Sequence, residues 1–508
     1  MCAYRDGGNA IDAAIAAAAV LTVVYPHNVA LGGDLVALVR TPDGTVRCVN
    51  ASGWAGAAVD QAAMRAAHGD RPPARGADVV TVPGGVRGWE TLRGLGARLG
   101  WDRTLSAAET AAREGVRVAP SLAGHLADAE NADLFGTEDF DRVFRPGGRC
   151  LRTGDVLEQP ALADTIAALR TDGPGAFYEG ALAAASVRYL RSRGSRLTVA
   201  DFAEFAPEVV RPLSMVFRGH TVSTSPPNTH GFLLLRALHA VDALAIGDPL
   251  GEDLGRLLCV FHHGNALRAR YLADPRYTDV DTDALIGDGL VGPVDWGSVG
   301  DAPALVPHGD TVGIAAADGD GYAVSLIQSV YHAFGSGLID PDSGILFHNR
   351  GAGFSLDETS PNVIAARKRP AHTLMPVLTT HGGRPRHVLA TMGGQGQPQI
   401  LAQVLLRALD GAGAEAAVGA ARAIVGLQVD GGTDDSVTVE SDMAAAPMAS
   451  IERAGFLPTR VAARTEALGQ ANAVYIDDGG AMTAASDPRS DGAAVVAHHP
   501  RRTRSPGR

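Results

Sequence analysis

The sequence predicts an α+β fold, and two features carry this prediction. Apolar, strand-like runs occur in pairs around short turns: residues 33–40 and 46–50 flank a Pro-Asp-Gly turn. A second pair flanks an Asp/Gly-rich turn at 318–321. Residues from about 58 to 260 instead show mostly helical patterns interrupted by Pro and Gly. Antiparallel strand pairs with a long helical segment between them are typical of the α+β class.

The other elements follow in chain order. Residues 1–24 have the Ala-rich pattern of a buried helix, and residues 254–272 predict a long helix that carries His262 and His263. These histidines lack the Cys or carboxylate spacing of a metal site, so we interpret them as structural. Residues 276–310 are rich in Asp, Gly and Pro and predict an exposed connection. Further expected elements are strands at 311–318, 321–329, 373–379, 387–392, 436–441 and 472–477, a helix at 398–410 and a disordered tail at 499–508.

Composition limits the classes of function. The 508 residues carry a formal net charge of −12, which argues against a nucleic-acid partner or an anionic membrane surface. The four cysteines lie far apart and predict free thiols in a reducing compartment. The apolar run at 13–24 is shorter than the ~20 residues of a membrane span, and the first motif begins too close to Met1 for a signal peptide. We therefore expect a cytoplasmic protein.

Thr311 stands at the start of the second strand pair. If the chain is cut before it, Thr311 carries both a hydroxyl and a free α-amine. An α-amine with a pKa near ~8 can act as the base for the adjacent hydroxyl. Thr is also a common strand residue, so the position alone does not establish a nucleophile.

A series of motifs in fixed order places Thr311 in a wider context. They are GGNAIDAA (7–14), YPH (25–27), LGGD (31–34), VPGGVRG (82–88), REG (113–115), GPGAFY (173–178), LTVADF (197–202), Tyr271 with Asp274-Pro275, FGSG (334–337), KRP (368–370), GG (393–394) and DPRSDGAA (487–494). With the Thr311 segment, this series resembles the γ-glutamyltransferase family of N-terminal-nucleophile hydrolases over nearly the whole chain.

The resemblance implies a four-layer αββα sandwich with two stacked antiparallel sheets. It implies self-cleavage between Asp310 and Thr311 into a large segment, 1–310, and a small segment, 311–508, which stay associated as one intertwined domain. Ser329 stands where the family usually has a Thr that hydrogen-bonds the nucleophile. A small-molecule substrate is implied, and no metal or organic cofactor.

Gly393 and Gly394 follow a predicted strand and precede a predicted helix. Consecutive glycines let backbone N–H groups point at one spot, which suits an oxyanion hole. Turns use Gly freely, so the position within the family pattern carries this assignment.

Departures from the family pattern concern the substrate. Family enzymes hold the donor's α-carboxylate with an Arg in an Arg-Glu-x-Ala-Pro segment, and Ser52 begins the matching stretch here. The acidic residue that holds the α-amine falls at Gly353. Three further substrate-binding candidates stand at altered positions: Tyr331, where many members have Asn, and His372 with Thr373, which replace a Ser-Ser pair.

Arg350 is new and lies in the same loop as Gly353. Its default reading is a solvated surface side chain, and the alternative is an anion-binding role. With His372 it suggests a small acyl donor that carries an anionic or keto-acid group. Oxamate amidohydrolase-like enzymes and the alkylproline-pathway homologues that release an oxalyl group by C–C hydrolysis are family precedents.

Three hypotheses about function remain open at this stage. The first is a self-processing amide or oxalyl C–C hydrolase with altered donor specificity. The second is a γ-glutamyl hydrolase or transpeptidase that clamps glutathione-like donors with other residues. The third is an unprocessed pseudoenzyme with a binding role, since Val312 and Gly313 replace the Thr and His that usually follow the nucleophile.

Overall fold

The computed structural model describes residues 2–287, 310–428, 433 and 435–497.

The helix that begins at Ala10 is stabilised by local capping. The Asn9 side chain accepts the N–H groups of Ile11 and Asp12, and the Asp12 carboxylate accepts the N–H of Asn9. This capping box satisfies N–H groups that have no partner within the helix. The helices are α1 Cys2–Arg5, α2 Ala10–Val24, α3 Gln61–His68, α4 Gly85–Gly94, α5 Trp101–Thr104, α6 Ser106–Glu114, α7 Pro120–Ala127, α8 Glu138–Phe144, α9 Pro160–Asp172, α10 Gly175–Tyr178, α11 Ala181–Ser192, α12 Val199–Ala203, α13 Phe232–Ala243, α14 Leu254–Tyr271, α15 Thr282–Gly287, α16 Gln397–Leu409, α17 Ala414–Gly419 and α18 Ala445–Arg453.

The strands form two large antiparallel sheets. The first sheet has the order β5-β2-β1-β9-β8, and the second has the order β16-β15-β11-β10-β7-β6. The strands are β1 Asp34–Arg40, β2 Val46–Ala51, β3 Val116–Arg117, β4 Val156–Leu157, β5 Glu208–Val210, β6 Leu213–Phe217, β7 His220–Thr224, β8 Asp310–Ala317, β9 Ala323–Tyr331, β10 Val377–His381, β11 Arg384–Met392, β12 Ala423–Val425, β13 Val437–Glu440, β14 Pro458–Val461, β15 Gln470–Ile476 and β16 Met482–Ser486.

Three apolar cores separate four layers. Helices such as α2, α4, α6 and α9 pack on the outer face of the first sheet, through side chains that include Leu35 and Leu326. Val36 and Ile327 point the other way and meet Val388 of the second sheet in the space between the sheets. Helices α13, α14, α16, α17 and α18 cover the outer face of the second sheet. The expectation of an αββα sandwich with stacked antiparallel sheets is confirmed.

Both sheets combine strands from the two sides of the 310/311 bond. In the first sheet, β1 pairs with β9 from Asp34 opposite Ser329 to Arg40 opposite Ala323. In the second, β7 pairs with β10, so that His220–Thr224 lies beside a strand that begins at Val377. Neither sheet is complete without strands from both sides.

The structure corrects three details of the predicted elements. Residues 1–24 form two helices, α1 and α2, and not one, because Asn9 caps a new helix that begins at Ala10. The stretch from 58 to 260 contains β5, β6 and β7 besides its helices, and these short strands extend both sheets. The predicted exposed connection at 276–310 contains α15, and Asp310 is a buried residue at the start of β8. The rest of that connection, 288–309, and the tail predicted at 499–508 lie outside the described residues.

Within the described ranges, no helix combines the length and the apolar character that crossing a bilayer requires. His262 is buried in α14, and the Nδ1 atom of His263 lies 2.8 Å from a guanidinium nitrogen of Arg236. In the same ranges, no group of three or more His, Cys, Asp or Glu side chains could hold a metal ion.

Candidate active site

Three polar side chains form a row across adjacent strands of the first sheet. Thr311 in β8 lies directly opposite Ser329 in β9, and Ser329 lies directly opposite Asp34 in β1. Directly opposed residues project from the same face of a sheet, and neighbouring strands lie ~4.8 Å apart. Asp34 and Val36 are two residues apart in β1, so their side chains project from the same face, and Val36 faces the second sheet. The row therefore lies at one end of the space between the two sheets.

The Ser329 hydroxyl connects Thr311 to the peptide bond that precedes it. The Thr311 hydroxyl donates to Ser329 Oγ over 3.1 Å, and Ser329 Oγ donates to the carbonyl oxygen of Asp310 over 2.5 Å. Ser329 Oγ also accepts the N–H of Tyr331 over 2.8 Å, and Asn28 donates to the carbonyl of Thr311 over 3.2 Å. All of these groups are buried, and Thr311 is 1 % exposed. The Thr311 hydroxyl and the Asp310 carbonyl are thus both hydrogen-bonded to Ser329 Oγ.

The Gly393-Gly394 turn leads from β11 into α16. Gly393 has a φ of 143° and Gly394 a φ of 49°, which side chains disfavour. A Cβ atom on Gly393 would lie 2.3 Å from Cδ1 of Ile400. The 3₁₀ turn Gly394–Gly396 follows, and the first N–H groups of such a turn have no partner within it. Only glycine fits at Gly393, and the turn can present N–H groups to an anion.

Close approach of the two sheets explains the glycine two residues after Thr311. A Cβ atom on Gly313 would lie 2.7 Å from the backbone nitrogen of Thr391 and 2.8 Å from the carbonyl carbon of Ala390. Asn472 of the second sheet donates to the carbonyl of Gly313 over 2.9 Å. The absence of a side chain at Gly313 therefore brings β8 against β11, the strand that ends at the glycine turn.

A buried ionic cluster occupies the Asp34 end of the row. Arg350 donates to both Asp34 oxygens, from Nε over 2.8 Å and from Nη2 over 3.2 Å, and both side chains are fully buried. The surface reading of Arg350 is therefore wrong. Burial alone would raise the pKa of Asp34, but the charge of Arg350 and the contact with His372 hold it far below its usual range. The cluster fixes a carboxylate and a guanidinium two strands away from Thr311.

One N–H donor group of Arg350 has no hydrogen-bond acceptor among the described residues. Its guanidinium carbon lies 4.2 Å from the centre of the Tyr331 ring, a cation–π contact. Its Nη1 atom is buried, and none of the described groups accepts a hydrogen bond from it. Buried N–H groups almost always have a partner, so this one marks a place where an acceptor is expected. Tyr331 is two residues beyond Ser329, which places this donor beside the row.

His372 is held as a neutral imidazole. Its Nδ1 atom accepts the N–H of Leu374 over 3.2 Å, so the proton is on Nε2, which donates to Asp34 over 2.7 Å. Burial and the nearby charge of Arg350 lower its pKa to about 4. The Nδ1 atom of His348 lies 3.7 Å from the same Asp34 oxygen, Oδ2, that His372 contacts. His372 therefore fixes Asp34 without adding a second full positive charge at neutral pH.

Comparison with known proteins identifies the family of this chain. The sequence model of the gamma-glutamyltranspeptidase family matches residues 2–497. The chain belongs to this family. It is 35 % identical to an oxamate amidohydrolase proenzyme from Klebsiella pneumoniae, over 97 % of this chain and 94 % of that protein. It is 34 % identical to the glutathione hydrolase-like YwrD proenzyme from Bacillus subtilis, over 96 % and 94 %.

A solved structure supports the same assignment. The crystal structure of cephalosporin acylase from Bacillus halodurans has a TM-score of 0.86 and 31 % sequence identity with this chain. It covers 98 % of this chain, which covers 93 % of it. The fold is that of the N-terminal-nucleophile hydrolases of this family, and the protein is an enzyme of the hydrolase/acyltransferase type.

The structure separates the remaining substrate-binding candidates within this family framework. The Ser52 hydroxyl lies 2.6 Å from Asn50 Oδ1 and 3.2 Å from Asn228 Nδ2, so the polypeptide itself uses it. Thr373 is buried next to His372. A Cβ atom on Gly353 would lie 3.9 Å from the Tyr331 ring, where the family resemblance places an acidic side chain. Tyr331, Arg350 and His372 come together near the row, whereas Ser52 is engaged elsewhere.

Asp34 belongs to the LGGD motif, but the sequence alone predicts no role for it. The available signal was a carboxylate immediately after two glycines and directly before the apolar run of residues 35–39. An ionised residue there is costly to bury unless it has a charged partner. That argument points to a buried cation, but nothing in the sequence identifies Arg350 as the partner.

Proposed function

We propose that this enzyme cuts itself between Asp310 and Thr311. The freed Thr311 then serves as the nucleophile that hydrolyses an amide of a short, anionic, non-glutamyl acyl group. One observation carries the proposal: the Ser329 hydroxyl accepts from the Thr311 hydroxyl and donates to the Asp310 carbonyl. Nucleophile and electrophile of the cleavage step thus share one hydrogen-bonding partner.

The cleavage step balances as an N-to-O acyl shift followed by hydrolysis. The Thr311 oxygen attacks the Asp310 carbonyl carbon, its proton passes to the Thr311 nitrogen, and the C–N bond breaks. Water then hydrolyses the resulting ester, which leaves a carboxylate on Asp310 and a free α-amine on Thr311. Ser329 polarises the attacked carbonyl, because its O–H donates to the oxygen on which negative charge develops.

The turnover step uses the same groups a second time. The α-amine of Thr311 accepts the hydroxyl proton as that oxygen attacks the substrate carbonyl, and the departing amine takes the proton. N–H groups of the Gly393-Gly394 turn stabilise the oxyanion. Water hydrolyses the acyl-enzyme and restores Thr311. No step in this sequence requires a metal or an organic cofactor.

The Arg350 cluster supports a short, anionic acyl group. Among the described residues, the buried Nη1 group of Arg350 has no hydrogen-bond acceptor, and the guanidinium lies against the ring of Tyr331, two residues beyond Ser329. A carboxylate, as in an oxamate-type amide, is the kind of acceptor that a buried guanidinium binds by charge-assisted hydrogen bonds. The name of the Klebsiella relative points to the same substrate class. An oxalyl group released by C–C hydrolysis has the same carboxylate and is the variant of this proposal.

A γ-glutamyl donor is the second candidate, because the Bacillus relative is named glutathione hydrolase-like. Against it, Ser52 replaces the Arg of the family pattern and is bonded to Asn50 and Asn228. Gly353 replaces the acidic residue that would bind the donor's amine. Both ends of a glutamyl group would need other partners in this site.

The cleavage step is tested on freshly purified protein by denaturing electrophoresis, intact mass measurement and N-terminal sequencing. We expect two fragments, the smaller beginning at Thr311, and a single uncut chain for Thr311→Ala. Thr311→Ser, which keeps the hydroxyl, should still be cut. A wild-type chain that stays intact on incubation would overturn the proposal and favour the pseudoenzyme hypothesis.

A substrate panel tests the specificity. Oxamate, oxalyl amides, glutarate monoamide and γ-glutamyl p-nitroanilide are compared by kcat/KM. Oxamate-type donors should exceed γ-glutamyl donors by at least ~100-fold, the loss expected when a buried charge loses its partner. Preference for the γ-glutamyl donor would establish the second candidate instead.

A further inference from the structure

A second charged cluster lies on the other side of the bond that precedes Thr311. His125, in the last turn of α7, has its Nε2 atom 3.1 Å from Glu466 Oε1 and 3.9 Å from Asp310 Oδ1. The first contact is a hydrogen bond and the second a charge contact. Asp310 is the residue whose carbonyl receives the attack in the proposed cleavage, and its side chain is 7 % exposed. The cluster therefore acts on the residue that precedes the nucleophile, not on the substrate end.

We propose that His125 and Glu466 form a clamp on the Asp310 side chain that sets the rate and the pH dependence of self-cleavage. This inference rests on the proposed cleavage between Asp310 and Thr311. Protonated His125 compensates the Asp310 carboxylate, and Glu466 keeps His125 protonated and in place. His125 is a positioning residue, since it touches neither the Thr311 hydroxyl nor the attacked carbonyl.

The clamp answers an electrostatic difficulty of the cleavage step. Negative charge develops on the Asp310 carbonyl oxygen while a buried carboxylate of the same residue lies close by. Like charges at short range in a buried site oppose one another strongly. A cation on the far side of the carboxylate reduces this repulsion, and the Ser329 hydroxyl stabilises the carbonyl side.

The surroundings hold the clamp from several elements. Glu466 Oε2 accepts from Gln470 over 3.2 Å and from the Ser121 hydroxyl over 3.4 Å. The N–H of Ser121 donates to Asp491 over 2.9 Å. This last contact gives the DPRSDGAA motif a role: it ties the C-terminal region to α7, next to the 310/311 bond.

Other charged or titratable groups also face His125. The His27 ring lies 4.7 Å from it, centre to centre, and burial lowers the pKa of His27 well below its usual value, so His27 adds no positive charge. Asp128 acts on His125 through its charge, and Arg75 interacts electrostatically with Asp310. Arg75 is already paired with Asp133, Nε to Oδ2, over 3.2 Å.

The protonation state of His125 follows from these contacts. Burial disfavours its charged form, but the hydrogen bond to Glu466 and the charges of Asp310 and Asp128 outweigh burial and raise its pKa to about 9. Below that pH His125 is charged and the clamp is complete. As pH rises through about 9 the charge is lost, so self-cleavage of the wild-type chain should slow in that range.

The test is a pulse-chase of the full chain made by cell-free translation, with cleavage followed from pH 6 to pH 10. His125→Gln should cut about 10- to 100-fold more slowly at pH 7, less than the 10²–10³ expected for losing a donor in direct contact with an oxyanion. It should also lack the slowing near pH 9. His125→Lys restores a cation and should recover cleavage at neutral pH.

Glu466→Gln gives a second, independent readout and changes a partly exposed side chain. It removes the main support for the His125 charge, so the alkaline slowing should move to lower pH by about one unit. His381→Gln is the matched control, because the His381 side chain is exposed and contacts Gly219 and His220 in the second sheet. That variant should follow the wild-type profile, and Thr311→Ala should remain uncut.

The outcomes separate this inference from the proposed function. A wild-type chain that is never cut contradicts the proposed cleavage itself. A wild-type chain that is cut, with His125→Gln and Glu466→Gln keeping its rate and its pH profile, overturns the clamp and leaves the cleavage intact. A slower His125→Gln chain with an unshifted alkaline limb in Glu466→Gln also overturns it, since the effect would then be structural.

Discussion

Two buried Arg–Asp pairs make the same kind of contact: Arg350 with Asp34, and Arg369 with Asp274. Arg369 donates to Asp274 from Nε and Nη2, and its Nη1 atom donates to Glu208 over 2.8 Å. Arg350 also makes a two-point contact with Asp34, but its Nη1 atom has no acceptor among the described residues. The two pairs therefore make the same two-point contact, and they differ in whether the Nη1 atom of the arginine has an acceptor.

The groups that surround the two carboxylates also differ. Asp274 receives a second arginine, Arg276, which brings its Nη2 atom within 2.6 Å, so this pair belongs to a network in which each charge is matched. Asp34 instead receives a neutral His372 and sits in a row with Ser329 and Thr311. A buried ion pair is weak evidence for function by itself. The unmatched donor beside a reactive group is what separates a binding site from a structural tie.

Removing the carboxylates should have the largest effect. Asp34→Asn and Asp274→Asn each leave a buried guanidinium without its main partner, which costs about 3–5 kcal/mol of folding free energy. Both variants should show this loss in urea unfolding of the uncut Thr311→Ala chain. At a temperature where each variant is folded, in the cleavable background, only Asp34→Asn should lose turnover. Equal loss of turnover in both would remove the distinction between the two pairs.

Replacing each arginine by lysine should separate binding from stability. Lysine keeps the charge but loses the planar fork. Arg350→Lys should lower kcat/KM for oxamate-type donors by about 10- to 100-fold, the equivalent of one charge-assisted hydrogen bond. Arg369→Lys should lower the melting temperature with kcat/KM unchanged. The contrast fails if the two variants show the same split between stability and kcat/KM.

The Asp34 pair should also have its own pH signature through His372. Its pKa of about 4 lies below the ordinary value of about 6.5. As pH falls from 6.5 to 4, the unfolded chain binds a proton at His372 and the folded chain does not, so the free energy of unfolding decreases over that range. The loss is about 2–3 kcal/mol at pH 4.5. His372→Gln in the Thr311→Ala chain should reduce the difference in unfolding free energy between pH 7 and pH 4.5 by that amount.

Ser52→Ala should have the smallest effect. The Ser52 hydroxyl is bonded to Asn50 and Asn228, so its removal should cost about 1 kcal/mol of stability and leave kcat/KM unchanged. Thr373→Val is the companion variant, since Thr373 adjoins His372 and was predicted to bind substrate. A fall in kcat/KM for Ser52→Ala would restore Ser52 as a substrate-binding residue.

The sequence predicted the parts of the fold that local patterns encode. The paired strands around 42–44 and 318–321 have the turn residues and the apolar runs of hairpins, and the structure has strands there. The strands β5, β6 and β7 were missed because they are three to five residues long, have partly exposed patterns and lie between two helical segments. Only their pairing with distant strands gives them extended structure.

The candidate site was predictable in its reactive part and not in its charged part. Thr311, Ser329 and the two glycines occupy positions in the family's motifs. Arg350 was assigned to the surface because most arginines are exposed. Its partner Asp34 lies 316 positions away, and no periodicity or spacing relates residues at that separation. The His125 contact with Asp310 is likewise a product of tertiary structure alone.

The pairing of β1 with β9 also sets the time at which the chain becomes able to react. These strands are joined across almost 300 residues of sequence, and contacts at such long separation form late in folding because the closure entropy of the loop opposes them. The row of Asp34, Ser329 and Thr311 exists only after that closure. Self-cleavage, as proposed here, would therefore report that these three strands of the first sheet have paired, and a chain in which they have not paired would stay inert.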